Sequence, residues 1–271
     1  MVATPIGNAR DITLRALDIL ASADVIAAED TRTARKLMDI HGIPVGGRKL
    51  IPYHDHSGQN GRDGIRKLIS EGQSVAYVSE AGTPLVADPG YALARDVAED
   101  GGTVTAAPGA SAVLSALSLS SLPSDRFLFA GFPPAAKGAR KTWLTEVLAI
   151  EATIVLYESP KRINRLLSEL CSLKAETRPA AICRELTKRY EEVIRGSVLD
   201  LSDALSERQL KGEVVLVIGY EVQAVGEDTM EDALKKAMTD MSKKDAVAFV
   251  AEALGLPRRK VYQAALDLEN G

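Results

Sequence analysis

The stretch Val78-Ser79-Glu80-Ala81-Gly82-Thr83-Pro84, running on to Asp88-Pro89-Gly90-Tyr91, has residue types suited to holding a ligand. A turn carrying Ala81 and Gly82 lets a ligand approach the backbone, because little side chain stands in the way. Two prolines stiffen the path, and Glu80 and Asp88 offer acceptors. Two more loops share this character: Thr4-Pro5-Ile6-Gly7-Asn8 and Ala107-Pro108-Gly109-Ala110-Ser111-Ala112. Each follows a predicted strand, and in an open α/β sheet ligands bind beyond the carboxyl ends of strands. Any one such loop reads equally well as an ordinary strand-to-helix turn. Three together describe a cleft for a small, polar or partly cationic cofactor.

Groups capable of acid–base work stand at other strand ends. Ala28-Glu29-Asp30-Thr31-Arg32 offers a polar wall for a substrate cleft, with Asp30 or Glu29 as a proton acceptor. The structural alternative, that Asp30 caps the following helix, is the better supported of the two on sequence alone. Tyr157-Glu158-Ser159-Pro160-Lys161-Arg162 and Arg184-Glu185-Leu186-Thr187-Lys188 follow two further strands, and Lys211-Gly212-Glu213 precedes the last. Structural ion pairing is the alternative for each. His54 and His56 flank Asp55 and fall on one side by strand alternation, but a third ligand is missing, so no metal site is expected. The chain has neither a Walker motif nor a G-x-G-x-x-G fingerprint. Its three histidines form no Ser-His-Asp arrangement.

These groups must be positioned by a fold, and the pattern indicates an α/β one. Residues 1–110 alternate strand and helix. Val25 to Ala28, Leu50 to Tyr53, Val75 to Val78 and Thr103 to Ala106 are predicted strands. Between them lie helices capped by Asp11, starting at Thr31, from about Arg62 to Ser70, and from Gly90 to Asp100. The first helix is expected to bury Leu14, Leu17 and Ala21. This rhythm argues for a mostly parallel sheet with helices on its faces. Residues 111–224 read as a second, α+β lobe with a mixed sheet. An apolar helix from Ser111 to Leu119 precedes strands at Phe127–Gly131, Thr153–Tyr157, Ala180–Arg184, Glu191–Arg195 and Val214–Tyr220. The short connection between the third and fourth of these predicts an antiparallel pair. Residues 225–271 are helical. Ser242 and Asp245 have the spacing of a cap for a helix carrying Ala246, Phe249, Val250 and Ala253, and the Gly255-Leu256-Pro257 turn resembles a helix-turn-helix.

Bulk properties narrow the partners. The 271 residues carry a formal net charge of −4, so a nucleic-acid partner requires local basic patches. Two are visible. Pro133 to Lys141 reads as a mobile loop bearing Lys137, Arg140 and Lys141. Arg258, Arg259 and Lys260 open a helix, although the tail from Gly226 holds seven Lys and Arg against nine Asp and Glu. Aromatic residues are only 4%, which argues against an RNA-binding sheet platform. No apolar run approaches the roughly 20 residues that span a membrane. Cys171 and Cys183 lack metal-site spacing and are expected to stay reduced in the cytoplasm.

The motifs quoted above, together with Asp11-Ile12-Thr13, Tyr53-His54-Asp55-His56 and Leu122-Pro123-Ser124-Asp125-Arg126-Phe127, come in an order that resembles one family over nearly the whole chain. That family is the ribosomal RNA small subunit methyltransferase I family of the tetrapyrrole-methylase-like superfamily. The resemblance implies a two-lobed α/β fold with a small helical C-terminal domain. It implies an S-adenosylmethionine-dependent enzyme, acting on the 2′-oxygen of a cytidine ribose in 16S ribosomal RNA near the decoding site. It further implies a homodimer. Carried over, Pro5, Glu80, Ala81, Gly82, Thr83, Pro84, Ser111, Ala112, Tyr157, Leu186, Gly212 and Glu213 surround the cofactor. Glu29 or Asp30 accepts the ribose proton, Arg32, Lys161 or Lys188 stabilises charge, and the basic patches contact RNA. A tetrapyrrole or protein methyltransferase on the same scaffold, or a non-catalytic RNA-binding ribosome factor, is the rival expectation. This chain departs from the family twice: Glu80 replaces an Asp, and only Met1, Val2 and Ala3 precede the first loop. Glu80 is expected to keep the carboxylate's function, and the true start to lie upstream of Met1.

Overall fold

The computed structural model describes residues 1–54, 57–86, 90–220, 227–254 and 256–270. Asp55, His56, Asp88, Pro89 and Gly255, named above, lie outside the described residues. The chain divides into two compact units, Met1–Tyr220 and Glu221–Gly271.

The first unit holds two sheets. Strands β1 (Val25–Ala28), β2 (Lys49–Pro52) and β3 (Val75–Val78) form a parallel sheet in the order β2-β1-β3. The central strand, Val-Ile-Ala-Ala, is buried along its whole length, as a strand covered on both faces must be. Val2 joins this layer by parallel bridges to Val78 and Ala107. The strand expected at Thr103–Ala106 does not form. Those residues are exposed, and near them only Ala107 makes a bridge.

Helices α1 (Leu14–Ser22), α2 (Thr31–Ile40), α3 (Gly58–Ser70) and α4 (Tyr91–Glu99) accompany this sheet. Two expectations about α1 are corrected. Its cap is Thr13, whose Oγ1 accepts from the Ala16 amide at 3.1 Å, while Asp11 stays in the preceding turn. Its buried face carries Ala16 and Leu20, and Leu14 is exposed.

The second sheet contains β4 (Phe127–Gly131), β5 (Thr153–Glu158), β6 (Pro179–Arg184), β7 (Glu192–Ser197) and β8 (Val214–Ile218), in the order β4-β5-β8-β6-β7. Only β4 and β5 run parallel; the expected β6–β7 pair is antiparallel. Period-two alternation divides its two faces. Ile154, Leu156, Leu216 and Ile218 pack toward a core with Leu144, Leu166, Leu167 and Leu201, which come from α6 (Lys137–Leu148), α7 (Ile163–Ser172) and α8 (Val198–Ala204). Val155, Cys183, Val215 and Val217 face α5 (Ala112–Ser120) and, through Ile6 and Val86, the loops of the first sheet.

Helix α6 replaces the mobile loop expected through Lys141. Arg140, Leu144, Val147 and Leu148 recur at helical spacing and are buried. The Arg140 guanidinium sits inside because it pairs with Glu169 at 2.6 and 2.8 Å and donates to the Pro134 and Ala135 carbonyls.

In the second unit, α9 (Glu227–Asp240), α10 (Lys243–Ala253) and α11 (Arg258–Asn270) share a core of Met230, Leu234, Ala246, Val250, Val261 and Ala265. The Ser242 hydroxyl donates to Asp245 at 2.6 Å and accepts from its amide at 3.3 Å, as the spacing predicts. Phe249 faces solvent, contrary to expectation, because Ala246, Val247 and Val250 already fill the contact stripe. Among the described residues no helix is long and apolar enough to cross a membrane.

Candidate functional site

A cleft of about 520 Å³ opens between the two sheets of the first unit, a size typical of small-molecule sites. Topology explains what lines it. Glu29 and Glu80 follow the ends of β1 and β3, which are parallel neighbours. On the other wall, Tyr157 to Pro160 end β5, and Cys183 and Leu186 end β6. Strand β8 is antiparallel to both, so its start, with Gly212 and Glu213, comes to the same edge.

The three small-residue loops lock together. The Thr4 and Gly82 amides donate to each other's carbonyls at 2.9 and 3.1 Å, and Ser79 Oγ donates to the Gly82 carbonyl at 2.7 Å. Thr83 Oγ1 donates to the Ala110 carbonyl at 2.9 Å. Gly82 has φ +88°, which a side chain resists. Ala81, Gly82, Thr83, Ser111 and Ala112 thereby line the cleft as expected. Pro5 and Pro84 do not line it. The neighbouring Ile6 takes the place of Pro5, and Pro84 is buried in the turn.

Opposite, Glu185 holds the cleft wall together from a left-handed backbone, φ +51°. Its amide donates to the Glu213 carbonyl at 3.0 Å, and its Oε1 accepts from the Glu213 amide and from Lys188 Nζ, both at 2.9 Å. Lys188 Nζ also reaches Glu213 at 2.8 Å. Hydrogen bonding to Lys188, then to the Glu213 amide, holds the Glu185 carboxyl below the usual range. For Lys188, burial pulls the ammonium down, and the bonds to Glu213 and Glu185 outweigh it, leaving the pKa raised. Lys188 is thus a cation already committed to two carboxylates, and it does not line the cleft. The first loop leans on this segment: the Asn8 amide donates to Thr187 Oγ1 at 3.1 Å.

The two acid–base candidates separate. Asp30 caps α2, accepting from the Arg32 and Thr33 amides at 2.7 and 3.4 Å. Its bonds to the Arg32 side chain and amide hold its pKa down at about 2. So acidic a group is a poor proton acceptor, and it stands outside the lining. Glu29 faces the cleft, its Oε2 accepting from the Glu80 amide at 2.9 Å. Arg32 projects outward with its side chain 90% exposed.

Of the remaining cations, Lys161 is exposed just beyond the Pro160 turn, and Lys137 and Lys141 are exposed on α6. Arg140 is corrected: its side chain is 4% exposed and bound to Glu169, so it offers nothing to a phosphate. Arg258, Arg259 and Lys260 are exposed at the start of α11. Among the described residues no cluster suits a metal ion.

Tyr157, Leu186, Gly212 and Glu213 line the cleft, and so do Glu158, Cys183 and Phe132, which the sequence does not assign to the cofactor. Glu158, buried, accepts from the Ser159 amide and the Arg162 Nε, both at 2.6 Å. Burial pushes the Tyr157 hydroxyl up to about 12 and the Cys183 thiol up to about 11, so both stay neutral. Phe132 lines the cleft beside Tyr157, ring centroids 5.5 Å apart. Its place directly after a strand end was the available signal.

Residues 1–202 match the family model described as Tetrapyrrole (Corrin/Porphyrin) Methylases, and residues 223–269 match that of the RsmI C-terminal HTH domain. The chain is 41% identical over 272 residues to a protein of Mesorhizobium japonicum, covering 100% of this chain and 92% of the other. It is 39% identical to one of Escherichia coli O157:H7, covering 98% and 94%. Both are named Ribosomal RNA small subunit methyltransferase I. Among solved structures, the methyltransferase CobJ aligns with a TM-score of 0.62 at 19% identity, covering 82% of this chain and 93% of that one. Uroporphyrin-III C-methyl transferase from Thermus thermophilus, complexed with S-adenyl homocysteine, aligns at 0.55 and 15%, covering 80% and 95%. At such identities these two speak for the fold.

Proposed function

Since the chain belongs to the tetrapyrrole methylase family and, within it, to the ribosomal RNA small subunit methyltransferase I family, we propose that it methylates small-subunit ribosomal RNA with S-adenosylmethionine. The finer assignment proposed is the 2′-oxygen of one cytidine ribose in 16S RNA, near the decoding site. The observation that supports the ribosomal RNA reading is full-length similarity: the named relatives extend over the helical tail, whereas the tetrapyrrole methylase model stops at residue 202. A tetrapyrrole substrate gives no reason for that tail.

The cleft fits the cofactor. Glu29 and Glu80 on one wall and Glu213 on the other line the cleft with carboxylates, which suits an ammonium and a sulfonium. Leu186, Val214 and Val215 supply an apolar floor for an adenosine. The Ala81–Thr83 turn, Ser111, Ala112, Tyr157 and Gly212 would hold the cofactor between them. When bound, S-adenosylmethionine supplies an electrophilic methyl group. The protein's part is position and electrostatics. A ribose hydroxyl is a weak acid, so a proton acceptor is needed. Glu29 is the proposed acceptor, being the cleft-facing member of its pair. Asp30 fixes the start of α2, and Lys188 fixes Glu213. Lys161 and Arg32 lie outside the cleft as phosphate or charge contacts. Recognition through a 2′-hydroxyl distinguishes RNA from DNA.

The three parts proposed are residues 1–110 and 111–224, which share the cleft, and 225–271, which aids RNA binding. The protein is proposed to act in the cytoplasm as a homodimer without metal. The test is methyl transfer from labelled cofactor to 30S subunits lacking the modification, mapped by mass spectrometry. One labelled cytidine ribose is expected. Label on a base, on protein, or nowhere in the RNA would overturn the finer or the whole assignment. Calorimetry with S-adenosylhomocysteine separates an enzyme from a non-catalytic RNA-binding factor.

A further inference from the structure

We infer that Phe132, at the lip of the cleft, is a stacking surface for an unpaired nucleobase of the RNA substrate. The inference rests on the RNA assignment above and adds a site to it. Among the described residues, Phe132 is the one large hydrophobic that both lines the cleft and is strongly exposed, at 56%. A ring belonging to the cleft's own floor would be covered by it, as Leu186, Val214 and Val215 are. A ring left open to water beside a reaction cleft costs apolar hydration that a ligand can relieve.

Its setting is prepared. Tyr157 holds it edge-on at 5.5 Å and 67°, and Tyr157 in turn packs against Phe129 at 4.8 Å. The chain turns out of β4 at Gly131, φ +74°, a conformation that suits glycine. Beyond the ring come Pro133 and Pro134, whose path is pinned by Arg140 through the Pro134 and Ala135 carbonyls. The lip is therefore stiff before any ligand arrives, which lowers the ordering cost of binding.

The cleft behind the ring is lined by carboxylates, and the cations stand on the outer segments of the lip. Strands β4 and β5 are parallel neighbours, so the segment after Gly131 and the turn at Ser159–Lys161 emerge side by side. Exposed Lys161 lies on one, and exposed Lys137 and Lys141 follow on the other, one helical turn apart. An aromatic face with lysines on the adjoining segments has the parts by which single-stranded nucleic acid is held: bases on the ring, phosphates on the cations. Chemistry asks for such a surface here. An unpaired target nucleotide can bring its 2′-oxygen to the cleft with its base out of the helical stack, and a base out of the stack needs a new partner.

The test uses the full chain with Phe132→Ala, Phe132→Leu and Phe132→Trp. Each variant is measured for S-adenosylhomocysteine affinity, KM and kcat on unmodified 30S subunits, sedimentation and melting temperature. Expected are a rise in KM for 30S of about tenfold or more in Ala and Leu, recovery in Trp, and cofactor affinity, sedimentation and melting unchanged. Four outcomes would overturn it: Leu matching wild type (a merely apolar contact), cofactor affinity falling in step (a cofactor wall), a shift in sedimentation (a subunit contact), or no change in KM. Failure of wild type to methylate 30S would overturn the RNA assignment itself. Active wild type with an unchanged Ala variant would overturn this inference alone.

Discussion

Glu80 lies in the cleft with its amide tied to Glu29, while its own carboxylate is exposed at the lining. Its carboxylate, close enough to interact with the Arg32 guanidinium, can serve a ligand by charge or only by shape, and two substitutions separate these. Glu80→Gln keeps the shape and removes the charge; Glu80→Asp shortens the reach by about 1.5 Å. If the carboxylate favours the sulfonium, Gln is expected to weaken S-adenosylmethionine more than S-adenosylhomocysteine, which lacks that charge. Calorimetry with both ligands decides it, and equal weakening would mean that only shape matters. A second residue-scale expectation concerns Gly212, at φ +88°, where an added Cβ would lie 2.3 Å from the Glu185 carboxyl. Gly212→Ala should push Glu185 off the Glu213 amide and weaken S-adenosylhomocysteine at least several-fold, read by the same calorimetry. Unchanged affinity would show that the 185–213 contact does not shape the site. At this scale, sequence was informative wherever a residue's type dictates backbone behaviour. Asp30 is legible as a cap because aspartate before a helix accepts from its first amides. The Glu185–Lys188–Glu213 cluster joins two separate sequence motifs, and only folding brings residues 25 positions apart onto one ammonium.

Helix α6 is tied to α7 by a buried guanidinium as well as by apolar packing, and that pairing makes part of the lobe's stability depend on pH. Glu169 is kept at about 2, chiefly by hydrogen bonds from Arg140. A carboxylate depressed in the fold contributes stability above its unfolded pKa, near 4.3. That contribution is lost as pH falls from there through the folded value. Glu169→Gln leaves Arg140 buried, its side chain 4% exposed, without a counter-charge. The expected cost at pH 7 is about 3 kcal/mol, a fall in Tm of roughly 6–12 °C. Thermal melts of both proteins should converge between about pH 4 and 2, because only the wild type loses the pairing there. A constant gap across that range would mean that Glu169 is not the group that titrates. The same helix explains why the 133–141 segment misled. A core stripe that includes an arginine, entered through two prolines and a glycine, carries the composition of a surface loop. The strands were easier, since alternation in β5 and β8 fixes which face each residue takes. Their order was not legible: β8 inserts between β5 and β6, and local pattern says nothing about which distant strand completes a ladder.

At the scale of the whole molecule, charge and function are distributed unequally. A net −4 chain must bind an anionic polymer through local cations. Every residue lining the proposed cofactor cleft belongs to the unit Met1–Tyr220. The unit Glu221–Gly271 builds its own core and presents Arg258, Arg259 and Lys260 in the first turn of α11. Positive charge at a helix start opposes the helix dipole, at a few tenths of a kcal/mol per residue. A run of three there is costly for a merely solvated face and useful for contacting phosphate. Removal of the chain from Gly226 onward is therefore expected to weaken RNA binding while leaving S-adenosylhomocysteine affinity nearly unchanged. Alanine at all three positions in the full-length protein should reproduce most of that loss. It should also flatten the salt dependence of RNA binding, by roughly 0.7 to 0.9 in logarithmic slope for each phosphate contact removed. Binding to 30S subunits measured across a salt series checks both variants. If the truncated protein binds RNA as tightly as the intact one, the tail has no part in recognition. If truncation weakens binding but the triple variant keeps the wild-type slope, the tail acts through some other surface than the start of α11.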